Sequence, residues 1–132
     1  MTPPDPSHRQ RISTTKAPAA IGPYSQAVLA RDTLYVSGQI ALDPETGQLI
    51  EGDVQDETIR VLDNIGAILR EANMDFGHVV QVTLFLRDMS DYAPVNEVYG
   101  RYVGGALPAR EALEVGPLPR DARVEISCIA VR

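Results

Sequence analysis

A chain of 132 residues, 44% hydrophobic and 23% charged, has the size and composition of one ordinary globular domain. Folding at this length buries roughly two-thirds of the surface that the unfolded chain exposes, which is enough for a single core. Eighteen acidic against twelve basic residues give a formal net charge of -6, which argues against nucleic acid as a partner. The apolar runs fall far short of the ~20 residues that span a bilayer, so no membrane association is expected.

The first eleven residues, MTPPDPSHRQR, hold three prolines, mixed charge and almost nothing apolar. They predict a flexible N-terminal leader. Without a continuous apolar stretch, and with Asp5 inside it, the segment does not resemble a secretory signal, and a cytoplasmic location is the expectation. A single domain is then expected over 12–132. Runs of Val, Leu and Tyr at 25–30 and 33–37, separated by Arg31 and Asp32, read as a hairpin. DPETG at 43–47 is a turn in which proline sets φ and glycine supplies a positive one.

From 54 to about 73, Val54, Val61, Leu62, Ile65, Ile68, Leu69 and Ala72 keep helical spacing. Asp53 reads as the N-cap, with Asp56 and Glu57 suited to the first turn. Residues 79–87 are rich in β-branched side chains and alternate, as a central strand does. A second helix is expected from 90 or 91 to 103, with Tyr92, Val95, Tyr99 and Tyr102 along one face and Gly104-Gly105 as its stop. Strands at 109–115 and 123–131 complete the order β-β-α-β-α-β-β. This predicts an α+β fold with two helices on one face of a mixed sheet. The other face needs a cover, and another subunit is the natural one.

Scarce residues exclude much chemistry. Cys128 is the single cysteine, His8 and His78 are the two histidines, and Lys16 is the one lysine against eleven arginines. No thiolate zinc cluster, internal disulfide or metal-ligand spacing is available, and no Walker motif precedes Lys16, so no metal or cofactor is expected. Arg110, at the mouth of a strand beside the glycine stop, offers a planar fork to a carboxylate; the competing reading is a surface salt bridge. Glu125 lies within the last strand, beside Ser127, Ile129 and Val131 on its own face. Such a carboxyl can have a raised pKa suited to proton transfer, or it can simply be an edge charge that discourages pairing. GPYS at 22–25 and VSGQ at 36–39 set hydroxyls beside flexible backbone, which alone is most often ordinary turn chemistry, and a residue such as Asn96 is more often a polar helix-face residue than a ligand.

Taken in order, APAAIGPYSQ at 17–26, VSGQ at 36–39, DPETG at 43–47, VNEV at 95–98, PAR at 108–110 and VEI at 124–126 form a specific set. Over 12–132 the chain resembles the RidA/YjgF-type reactive intermediate deaminase family. The resemblance implies a chorismate-mutase-like fold assembled as a homotrimer with sites between subunits. It also implies hydrolysis of 2-aminoacrylate and related enamine and imine acids to 2-oxoacids and ammonia, without a cofactor. Small 2-imino and 2-oxo acids are then the expected ligands. By the same resemblance Arg110 binds the substrate carboxylate and Glu125 orients or deprotonates the attacking water. Tyr24, Ser37 and Gly38 line the pocket, Asn96 supports it, and the Ala112 amide assists at the carboxylate. Glu111 departs from the small residue usual after the P-A-R arginine; strand alternation sends it away from the pocket, towards a cationic partner or an exposed seam. A ligand sensor of the same fold, and a ribonuclease or translation inhibitor, are the competing functions.

Overall fold

A computed structural model describes residues 8–132; residues 1–7 of the expected leader lie outside the described residues. The elements are β1 (Arg9–Ile12), β2 (Ala27–Ala30), β3 (Thr33–Gln39), α1 (Val54–Glu71), β4 (Val79–Leu86), α2 (Tyr92–Val103), β5 (Ala109–Glu114) and β6 (Val124–Val131). The α+β layer expected from the sequence is present, with one strand more than the patterning predicted. Arg9–Ile12 pairs antiparallel with Ala27–Ala30, so the end of the expected leader is an edge strand. Ile12 is its one buried side chain, and the rest of its attachment is backbone hydrogen bonding, to which composition is blind.

α1 begins where its caps dictate. Asp53 accepts from the Asp56 N–H (2.9 Å), and Asp56 accepts from the Asp53 N–H (3.0 Å), a reciprocal capping box. Gly52, at φ 146°, precedes it because a Cβ there would lie 2.5 Å from an Asp56 carboxylate oxygen. Val61, Leu62, Ile65, Ile68 and Leu69 are then buried along one stripe. Burial of each such side chain contributes about 1.5–3 kcal/mol. α2 ends at Gly104, whose φ is 54°.

The sheet order is β1-β2-β3-β6-β4-β5. Only β4 and β5 run parallel, because α2 carries the chain back between them; every other pair is antiparallel. Leu34, Val36, Val82, Leu84, Leu86, Val124, Ile126 and Cys128 lie buried on the helix side. The second face carries Tyr35, Leu113 and Val131 exposed, with Phe85 and Ile129 half-buried. That face has no helix on it. Among the described residues no helix is long and apolar enough to cross a membrane.

Candidate functional site

A loop wall is built first. Gln26 is buried at the start of β2, and its amide serves as a template for residues 14–18. It accepts from the Thr14 N–H (2.8 Å) and donates to the carbonyls of Thr14 (3.0 Å) and Pro18 (2.8 Å). A buried amide saturated in this way holds an irregular segment where no ladder can. The segment continues into Pro18–Ile21 as one side of a cleft of about 300 Å³, whose other lining includes Tyr24, Gly38, Arg120 and Glu125. Ile21 stands 77% exposed at its mouth, and Tyr24 is exposed beside it.

The opposite wall depends on a β-bulge. Val36 pairs with Cys128 and Gln39 with Ile126, so β3 has one residue too many between these points. The extra residue falls at Ser37-Gly38. The bulge turns Ser37 so that its hydroxyl donates to the Ser25 carbonyl at 2.6 Å, and sets Gly38 against Glu125. A Cβ on Gly38 would sit 2.5 Å from Glu125 Oε2 and 2.9 Å from Cδ, so only glycine leaves the carboxyl its place. Glu125 is half-buried, and burial pushes its pKa above the usual carboxylate range. The shift is in the direction that suits a group taking and returning a proton. Tyr24, Gly38 and Glu125 line one cleft, whereas Ser37 is not among its lining residues and spends its hydroxyl on the Ser25 carbonyl.

Arg110 belongs to a different constellation. Val82 of β4 pairs with both Arg110 and Cys128, whereas Phe85 pairs with Glu125. Side chains alternate along a strand, so Arg110 lies on the helix side of the sheet and Glu125 on the bare side. Arg110 there meets α2. Its Nη1 donates to Asn96 Oδ1 (2.6 Å) and its Nη2 to the Tyr92 hydroxyl. The guanidinium carbon lies 5.4 Å from the centre of the Tyr92 ring and 4.9 Å from that of Tyr99, within cation–π range. Among the described residues Arg110 is in no salt bridge: these partners are neutral. Asn96 thus holds Arg110 itself, and Tyr92 and Tyr99, expected only as part of an apolar helix face, flank it; with Asn96 they stand at i, i+4 and i+7, on one side of α2.

Ala112 follows Arg110 on the same face. The Val115 N–H donates to the Leu86 carbonyl (2.9 Å), so alternate residues of β5 direct their amides to β4. By that alternation the Ala112 N–H points to the open edge, free to meet a ligand. Glu111 faces away from Arg110, opposite Thr83, and is exposed, as strand parity required. Among the described residues it forms no ion pair, so of the two expectations for it, a cationic partner or an exposed position, exposure is the one seen. Arg120 is a cleft residue that sequence reasoning passed over. It stands at φ 58° and donates to the Gly47 carbonyl at 3.2 Å. Cys128 is buried, and burial pushes its thiol up to about 12. It is no nucleophile.

A model of the family described as Endoribonuclease L-PSP matches residues 14–132. The chain is 56% identical over 124 residues to the 2-iminobutanoate/2-iminopropanoate deaminase of Mus musculus, covering 94% of this chain and 92% of that protein. The Homo sapiens protein of the same name is 49% identical over 124 residues, covering 94% and 90%. Among solved structures, the crystal structure of E. coli TdcF with bound serine superposes with a TM-score of 0.88 at 40% identity, covering 93% of this chain and 98% of that one.

Proposed function

This chain belongs to the Endoribonuclease L-PSP family, also called YjgF/RidA, and on that footing we infer that it hydrolyses 2-iminobutanoate, 2-iminopropanoate and related imine acids to 2-oxoacids and ammonia. The observation that carries the reading is a proton-transfer carboxyl at a cleft wall, Glu125, in a chain that also presents a guanidinium with neutral partners, Arg110. Arg110 and the Ala112 amide hold the substrate carboxylate through charge-assisted hydrogen bonds. Glu125 takes a proton from water as the oxygen adds to C2 of the protonated imine. It returns that proton to the nitrogen of the resulting carbinolamine; the C–N bond then breaks as the hydroxyl proton passes to Glu125, and the 2-oxoacid leaves with ammonia, which carries the last proton away as ammonium. A protonated imine is already electrophilic, so positioning and general acid–base help suffice for the acceleration.

The two half-sites belong to different copies. Arg110 and Glu125 lie on opposite faces of one sheet, so within a protomer they cannot grip one small molecule. A homotrimer that seats the β5 edge of one protomer, which carries Arg110, against the Glu125 cleft of the next completes one site between them. The apolar side chains of the bare face, and Leu107 at 78% exposure just before β5, support burial between copies.

Two measurements test this. Imines generated by a serine/threonine dehydratase in the presence of semicarbazide should give less semicarbazone when the protein is added. Unchanged trapping alongside tight 2-oxobutyrate binding would instead indicate a sensor, and cleavage of RNA under the same conditions would revive the ribonuclease reading. Mixing Arg110→Ala with Glu125→Gln protomers in equal amounts should restore about a quarter of wild-type activity, since each mixed trimer holds one interface with both residues intact. No recovery would place both residues in one chain's site.

A further inference from the structure

Of the five N–H groups on the Arg110 guanidinium, two are already committed to α2. The Asn96 acceptor comes from the middle of that helix, but the Tyr92 acceptor comes from its first residue. The turn just before that residue is itself fixed to the strand carrying Arg110: the Met89 N–H donates to Glu114 Oε1 at 2.9 Å. Tyr92 is half-buried, its ring lies beside the guanidinium, and its hydroxyl oxygen receives Nη2. The Tyr99 ring also lies over the guanidinium, buried and with no hydrogen-bond partner for its own hydroxyl among the described residues. A guanidinium held at both Nη atoms and bounded by two rings cannot spin about its Nε–Cζ bond. Its remaining three N–H groups keep a fixed direction before any ligand arrives.

We propose that Tyr92 is a positioning residue: its hydroxyl, with Asn96, locks the Arg110 fork in the orientation that receives the substrate carboxylate. This rests on the imine-hydrolase reading, in which Arg110 is the carboxylate anchor. The carboxylate keeps its charge throughout hydration of the C=N bond, so a loosened anchor weakens ground and transition states alike. The loss then falls on KM rather than on kcat. Tyr92→Phe removes one oxygen and keeps the ring, so packing and the cation–π contact survive.

Two readouts on the intact protein separate the outcomes. Nitrogen-15 spectra of the arginine side chains should show two resolved Nη signals for Arg110, identified by their absence from Arg110→Lys, and these should merge in Tyr92→Phe. Steady-state hydrolysis of 2-iminobutanoate should show KM raised about tenfold in Tyr92→Phe with kcat within about twofold. The melting temperature should be unchanged. Wild-type KM in the variant, or Nη signals that stay resolved, would overturn the proposal, as would a fall in kcat accompanied by a lower melting temperature. If the wild-type protein neither hydrolyses imines nor binds 2-oxobutyrate, the enzymatic reading fails first and the proposal falls with it; merged Nη signals would then still report the lock itself.

Discussion

One methyl group at residue 38 separates the demands of the fold from those of the reaction. Gly38 does not use a positive φ, so alanine meets no backbone penalty there. Its Cβ would nevertheless lie 2.5 Å from Glu125 Oε2, about 0.9 Å inside the 3.4 Å at which ordinary contact begins. The obstacle is the far end of a flexible side chain, so Glu125 yields rather than the sheet. Forcing it off its preferred rotamer costs about 0.5–1.5 kcal/mol. Replacing glycine at a compatible position returns about 0.4–1 kcal/mol by restricting the unfolded chain. The two nearly cancel, and Gly38→Ala should melt within a few degrees of wild type. Catalysis has no such compensation. A carboxyl moved by about 1 Å no longer meets the attacking water, and misplacement on that scale costs roughly a hundredfold in rate. The semicarbazide competition assay beside a thermal melt reads both quantities on one preparation. Full turnover in Gly38→Ala, with an unshifted melt, would refute the claim that the bulge and its glycine exist to seat Glu125. An unfolded variant would refute the reasoning about strain.

Glu125→Gln should lower turnover far more than 2-oxobutyrate binding; equal losses would make Glu125 architectural. The same variant should be more stable than wild type at pH 7–8. With its folded pKa raised above the ordinary 4.5, Glu125 holds a proton that the unfolded chain has already lost, so its ionisation penalises folding as pH rises. The difference should close as pH falls below 4.5, where both states are protonated; a gap that widens in acid would reverse the assignment. Tyr99→Phe removes a buried hydroxyl without a partner and should stabilise the protein by about 1 kcal/mol, roughly 3–5 °C in Tm; a drop in Tm would mean that the hydroxyl has a partner in the assembly. Glu111→Ser should leave hydrolysis within about threefold and change the concentration at which the oligomer dissociates, read by light scattering, because surface charges act weakly on a site behind the strand. A tenfold gain in activity would place Glu111 against the substrate.

What the chain determined locally was legible from its residues. The Asp53 N-cap, the apolar stripe of α1 and the glycine stop after α2 are written in short-range spacing, and each came out as expected. The ordered motifs also singled out Arg110, which meets neutral side chains of α2, and Glu125, whose pKa burial raises. β1 was missed because its attachment is almost wholly backbone pairing, with Ile12 the one apolar cue. The arrangement of the site was a tertiary decision. Alternation fixes on which side of its own strand a residue lies, but relating β5 to β6 requires the register of β4 between them. That register is set by which apolar faces must meet the helices. Only then do Arg110 and Glu125 separate onto opposite faces. Likewise the Ser37-Gly38 bulge and the Tyr92 contact join residues whose partners lie far along the chain, where no periodicity connects them.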